Sequence, residues 1–165
     1  MSMLTLWSIS MQTTKEQIKS GQAKQTIKAI VSGGTGTGKT YFGFTCPRLA
    51  YIGTEPNGLD TARANHSLLD NLVWADEFIP SPTEDIKVTF DRMDKAILQA
   101  HDDQAKGLVD TLFLDNFSYL AENRWIFIQK YESNKTNSGA IDTRGNYGTL
   151  ARWLYNFTLT RLLSF

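Results

Sequence analysis

Apolar residues recur along the chain in two patterns. Short, nearly continuous runs bounded by turn residues occur in Gln25 to Ser32 (QTIKAIVS, with Ile27, Ile30 and Val31), Leu49-Ala50-Tyr51-Ile52-Gly53, Asn71-Leu72-Val73-Trp74 and Leu108 to Asp115 (LVDTLFLD). Such runs predict buried strands. The second pattern is helical. Ile86, Phe90, Met93, Ile97 and Ala100 fall at steps of four, three, four and three, one face of a helix that packs on a sheet, with Asp102-Asp103 and Gly107 ending it. Short helices are predicted over Tyr41 to Thr45 and Leu59 to Ala64, and a longer one over Phe117 to Tyr131. Tyr147, Leu150, Leu154 and Phe157 mark a last helix running to Leu163.

Between these elements lie the breakers. Pro47 ends the first short helix, Pro80 and Pro82 mark a loop, and residues 132–146 (ESNKTNSGAIDTRGN) are polar and Gly/Asn-rich, hence a loop. Ser81-x-x-Glu84 reads as a capping box for the helix carrying Ile86. Thr13-x-x-Glu16 reads as another, opening a short helix to Lys19 with Gly21 as its stop. Residues 1–12 show only weak alternation and predict no element. Strands alternating with helices predict an α/β fold with a mostly parallel sheet.

A chain of 165 residues with 41% hydrophobic and 21% charged residues is long and apolar enough to build a core, which excludes a disordered chain. The expected organisation is an N-terminal segment, 1–24, followed by one domain, 25–165. The lone cysteine, Cys46, excludes an internal disulfide framework and fits a reducing, cytoplasmic compartment. It reads as a packing residue beside Pro47, with a reactive thiol as the alternative. No apolar run reaches transmembrane length. The stretch MSMLTLWSISM lacks a basic n-region and a small-residue cleavage site, so it does not read as a signal peptide. Net charge is zero but unevenly spread: residues 1–48 carry six Lys/Arg against one acid, 49–123 five against fourteen, and 124–165 six against two. Basic ends permit a nucleic-acid face without establishing one.

The sharpest motif is Gly33-Gly34-Thr35-Gly36-Thr37-Gly38-Lys39-Thr40, which fits G-x-x-x-x-G-K-[ST]. A polyphosphate needs several N–H donors aimed at one point, so the backbone must wrap closely around it, and glycine permits that. A helix starting near Gly38 adds its N-terminal partial charge. Lys39 supplies a full charge for the β- and γ-phosphates, the Thr40 hydroxyl a ligand for Mg²⁺, and Tyr41 adjoins the cofactor. The predicted strand before the loop and helix after it are the context this motif requires.

Mg²⁺ also needs a carboxylate to hold it through water, at the end of a buried strand beside the P-loop strand, and Leu112-Phe113-Leu114-Asp115 supplies it. The competing reading makes Asp115 the N-cap of the following helix, a role Asn116 fits equally well. Hydrolysis needs a group to orient or deprotonate water. Glu55, after the second strand, is the candidate, against a solvated turn glutamate in Thr-Glu-Pro-Asn-Gly. Ligands of open α/β sheets lie beyond the carboxyl ends of the strands, so Glu55 and Asp115 are expected at the same end. His66 and His101 lack ligand-spaced partners and read as surface or helix-end residues.

With GGTGTGKT, the Thr54-Glu55 strand end, LFLDN at 112–116 and NYGTLARWL before the last helix, the chain resembles the RecA-like ATPases. The short helix and abrupt proline in GKTYFGFTCPRLAYIGTE resemble the phage-encoded branch of small nucleotide-binding and single-strand annealing proteins. The resemblance covers residues 25–163. It implies a three-layer RecA-like fold, Glu55 as the catalytic glutamate, Asp115 as the Mg²⁺-associated aspartate, and ATP-dependent action on single-stranded DNA. It also implies sites formed between subunits of a homo-oligomer, completed by a neighbour's arginine. A RecA-like core continues into a further strand carrying a sensor for the γ-phosphate. This chain ends at Phe165, so a truncated core is expected, with the P-loop strand left as a sheet edge and nucleotide binding surviving more readily than turnover.

Residues 132–146 stand where the resemblance places a DNA-contacting loop. There Lys130, Lys135 and Arg144 are candidates for phosphate contacts and Tyr131 or Tyr147 for base stacking, against an ordinary solvated loop. Three functions follow as alternatives: a Mg²⁺-dependent ATPase acting on DNA, a nucleotide-binding module without efficient turnover, and a P-loop kinase of a small molecule.

Overall fold

The structure, a computed structural model, describes residues 5–9, 28–136 and 138–162. The chain divides into two compact units, Met1–Lys39 and Thr40–Phe165. In the first, strand β1 (Thr5–Ile9) pairs antiparallel with β2 (Lys28–Ser32), with Thr5 opposite Ser32 and Ile9 opposite Lys28. Strand β1 lies within residues 1–12, where weak alternation predicts no element. Among the described residues β2 pairs on one side only, with β1, so it keeps an open edge, while Ile30, expected to be buried, is 64% exposed. Apolar residue type alone does not report which faces of a strand are covered. Ile27, the Thr13-x-x-Glu16 box and Gly21 lie outside the described residues.

The second unit is built on a parallel three-stranded sheet of order β4-β3-β5, with β3 (Leu49–Gly53) between β4 (Leu72–Glu77) and β5 (Thr111–Asp115). The apolar run of β3 suits a central strand, since helices cover both faces of a parallel sheet, and all five of its residues are buried. The register sets Gly53 beside both Glu77 and Asp115. The three carboxyl ends are therefore level, which brings Thr54-Glu55 alongside Asp115-Asn116.

On one face of the sheet Ile52 packs with Phe78, Met93, Ile97, Leu120 and Phe157. These come largely from helices α3 (Ile86–Ala105), α4 (Phe117–Tyr131) and α5 (Thr143–Phe157). On the other, Tyr51 and Leu49 pack with Phe44 of α1 (Lys39–Phe44), Ala62 of α2 (Asp60–Ala64) and Leu68 of the 3₁₀ segment His66–Asn71. Layers on both sides make this the expected α/β architecture. The predicted face of α3 is buried at Ile86, Met93, Ile97 and Ala100, and Thr89 joins it.

Several boundaries differ from expectation, among them the end of β4, which runs on to Glu77 rather than stopping at Trp74. The cap of α3 is Asp85, whose carboxylate accepts from the Lys87 backbone N–H at 2.9 Å. An ionised side chain one residue before the helix satisfies an orphan donor and complements the helix dipole. Ser81 instead takes the Thr83 N–H, and Glu84 takes the Thr89 hydroxyl. Helix α5 begins at Thr143, within the stretch expected to be loop, because Asp142 caps it through the Gly145 N–H at 2.9 Å. The loop before it is closed by Thr136 N–H to the Ala140 carbonyl and by a bridge between Lys135 and Ile141. Strand β5 starts at Thr111 rather than Leu108, which is 54% exposed. After Phe157 the helix widens into a π turn over Thr158–Leu162; Leu163 lies outside the described residues.

Candidate functional site

In the first unit, the loop after β2 turns through Gly36 (φ 75°) and Gly38 (φ 85°), a left-handed backbone that glycine adopts without strain. The Thr37 hydroxyl donates to the Gly34 carbonyl at 2.8 Å, and a Cβ on Gly33 would lie 2.7 Å from that hydroxyl oxygen. The backbone conformation therefore calls for glycine at 36 and 38, and the Thr37 side chain crowds a Cβ at 33. A Cβ on Gly34 would meet nothing within 4 Å, so no contact of the chain itself calls for glycine there. The Lys39 ammonium arches back over the loop and donates to the carbonyls of Gly33 and Gly34, each at 2.9 Å.

In the second unit the last residue of the motif, Thr40, donates its hydroxyl to Asp115 Oδ2 at 2.6 Å. Asp115 ends β5 and is 3% exposed. Its strand neighbours hold it: the Thr54 N–H donates to the Asp115 carbonyl at 2.7 Å, and the Tyr51 hydroxyl lies 3.5 Å from Oδ2. Burial raises the Tyr51 phenol above its ordinary range, and the carboxylates of Asp115, Glu77 and Glu55 add to that rise. Tyr51 thus remains a neutral donor facing three acids. Capping of α4 falls to Asn116, whose Oδ1 accepts from the Tyr119 N–H at 2.9 Å, so the competing role for Asp115 goes to its neighbour.

Glu55 is half-buried just beyond β3. It is not a freely solvated turn residue: the Asn116 side-chain amide donates to its Oε2. The Thr54 hydroxyl donates to the Asn116 carbonyl at 2.6 Å, and the Asp115–Asn116 peptide is cis. Glu55 and Asp115 therefore stand at the same end of the sheet. Tyr51, Thr54 and Asn116 escaped the sequence reading as parts of this cluster. The one signal for Asn116 was its place directly after Asp115.

The donor set suits a small hard cation. Thr40 and Asp115 offer a hydroxyl and a carboxylate oxygen 2.6 Å apart, and Mg²⁺ takes oxygen ligands, few of them from protein, while retaining waters. Among the described residues no group of three or more His, Cys, Asp and Glu is placed to enclose a metal by itself.

The candidates for nucleic-acid contact differ in their surroundings. Lys130 lies 3.7 Å from Asp85 and over the Tyr131 ring, and the Tyr131 hydroxyl donates to the same Asp85. Those bonds hold the Asp85 carboxyl below its usual range, the Tyr131 bond foremost. Lys135 and Arg144 are exposed, Lys135 in the closed loop and Arg144 in the first turn of α5 rather than in the loop. Tyr147 stacks on Trp125 at 4.5 Å while remaining 59% exposed. Tyr41 is also about half exposed. Burial raises the Cys46 thiol, which leaves it a poorer nucleophile. His101 Nε2 is bonded to the Arg161 carbonyl at 2.8 Å.

A phosphate-loop motif followed by a helix, and a parallel sheet whose carboxyl ends carry the acids, define a P-loop nucleotide-binding ATPase. A family model described as an AAA domain matches residues 25–165, and the chain belongs to that family. No curated protein and no solved structure gives a significant match. Among the described residues, no helix is long and apolar enough to cross a membrane.

Proposed function

We propose that the chain is a Mg²⁺-dependent ATPase of the RecA-like kind, phage-derived and acting on single-stranded DNA in recombination or annealing. The observation that carries the nucleotide half of this reading is the 2.6 Å bond between Thr40, the end of the phosphate-loop motif, and the buried Asp115. In this reading the amides of residues 33–40 and the Lys39 ammonium bind the β- and γ-phosphates. Thr40 and Asp115 hold Mg²⁺, which when bound supplies charge neutralisation at the phosphate oxygens. Glu55 orients the attacking water and accepts its proton as the water oxygen bonds to the γ-phosphorus and the bond to the ADP oxygen breaks.

Phosphate release by the wild-type chain and by Glu55→Gln tests the reaction. Turnover by the wild type and its loss in the variant are expected. Equal rates would remove Glu55 from this role, and nucleotide binding without turnover in either would leave a binding module.

The DNA half rests on exposed Lys135 and Arg144 with Tyr147 nearby in sequence, because Lys130 and Tyr131 are engaged by Asp85. Fluorescence anisotropy of labelled single-stranded DNA, with and without ATP at low salt, is the direct test. Phosphate contacts are strongest under those conditions, and no binding there rejects the recombination role.

A further inference from the structure

The two ends of the Asn116 side chain do different jobs. Its carbonyl oxygen accepts from the Tyr119 N–H at 2.9 Å and so caps α4. A carboxamide is planar, so once the oxygen is committed to the helix the NH₂ group has a fixed direction. That group donates to Glu55 Oε2. The backbone of Asn116 is restrained as well, through its carbonyl to the Thr54 hydroxyl at 2.6 Å and through Asp115 to the Thr54 N–H at 2.7 Å.

We infer that Asn116 is a positioning residue: its amide, clamped by the start of α4, holds the Glu55 carboxylate in the orientation needed to activate water. This rests on the assignment of Glu55 above and adds to it the group that orients the base. Capping alone does not require asparagine. Serine and aspartate cap as well or nearly so, but neither offers Glu55 an amide N–H. Asparagine satisfies both demands because it carries an acceptor and a donor on one rigid group.

The dual role makes the test separable. Asn116→Asp retains an oxygen for the Tyr119 N–H, removes the donor to Glu55 and sets a like charge beside it. Asn116→Ser retains a capping oxygen without adding charge, which keeps the test available should the aspartate variant fold poorly. Both are expected to melt near the wild-type temperature, and the uncharged Asn116→Ser to bind ATP with unchanged affinity, while kcat falls about 10- to 100-fold in each, the scale of a misoriented catalytic group. In Asn116→Asp the acid limb of the kcat–pH profile should also move to higher pH, since a neighbouring negative charge makes Glu55 harder to ionise. In the Glu55→Gln background Asn116→Ser should cause no further loss, because the residue acts through Glu55.

An unchanged kcat and pH profile in both variants, with a wild type that hydrolyses ATP, overturns this inference and leaves the proposed function standing. A further loss in the Glu55→Gln background overturns it too. A wild type that binds ATP but never releases phosphate overturns the hydrolytic reading and this inference together.

Discussion

The Thr40 hydroxyl and the Asp115 carboxylate, 75 residues apart in the chain, meet at 2.6 Å. The aspartate is 3% exposed, so its charge depends on such donors for the solvation it has lost. In the proposed function these two residues are the ones that hold Mg²⁺. Asp115→Asn keeps the shape and removes the charge. The expected result is loss of the Mg²⁺-dependent part of ATP affinity by about tenfold or more, on the scale of one charge-assisted interaction. Titration of a fluorescent ATP analogue with Mg²⁺ and with EDTA measures it, and an unchanged response to Mg²⁺ would exclude Asp115 from the metal site.

Lys39 donates to two carbonyls of its own loop, Gly33 and Gly34, both exposed. Solvent can replace those bonds, so Lys39→Ala should leave the fold intact. Toward a triphosphate the loss is larger, about 10- to 150-fold in affinity for one charge-assisted hydrogen bond. The same titration reads it, with the circular dichroism spectrum expected to match the wild type. Undiminished ATP binding would contradict every version of the nucleotide reading.

Arg124 stands between helices α3, α4 and α5, its guanidinium over the rings of Phe127 at 4.4 Å and Trp153 at 4.9 Å. Glu132 accepts from it through both carboxylate oxygens, at 2.9 and 2.7 Å. The Arg124 side chain is 10% exposed and that of Glu132 38%, so the pair is only partly screened by water. Glu132→Gln leaves a buried cation without its counter-charge. The expected cost is about 1–2 kcal/mol, below that of a fully buried pair because the glutamate edge is wet. Urea denaturation of the two proteins checks it.

Tyr51 connects stability to alkaline pH. The folded state raises its phenol above the ordinary value, by burial first and by three nearby carboxylates next. A raised group contributes stability that is complete below its unfolded value, about 10, and is lost as pH climbs above that toward the folded value. Tyr51→Phe removes the titrating group. The variant should therefore lose less stability than the wild type between pH 9 and about 11, measured as the shift in urea midpoint. Parallel losses in the two proteins would show that Tyr51 does not titrate with folding.

Much of the architecture could be read from residue order because its causes are local. The apolar run at 49–53 became the central strand, and the spacing Ile86, Met93, Ile97 and Ala100 became the buried face of α3. Helix ends were less legible. Asp85 and Ser81 both suit a cap, as do Asp142 and the residues around it, and local preference does not decide between oxygens when the side chains can choose other partners. The pairing of Thr5–Ile9 with Lys28–Ser32 was invisible for a related reason: weak alternation in one strand says nothing of a partner 19 to 27 residues on.

Residue order alone established a phosphate loop, since a loop of glycines ending in Lys39-Thr40 carries its chemistry within one contiguous backbone segment. It also supplied Asp115 and Glu55 as acids at the ends of apolar runs. Only the folded chain decided what each acid touches. Parallel register brings Gly53 level with Asp115 and so sets the amide of Asn116 against Glu55, while the packing of α1 on the sheet sets Thr40 against Asp115. Hydrogen bonds act over about 3 Å, and whether residues 61 or 75 positions apart come within that reach is settled by how strands pair and helices pack, not by the order of the residues.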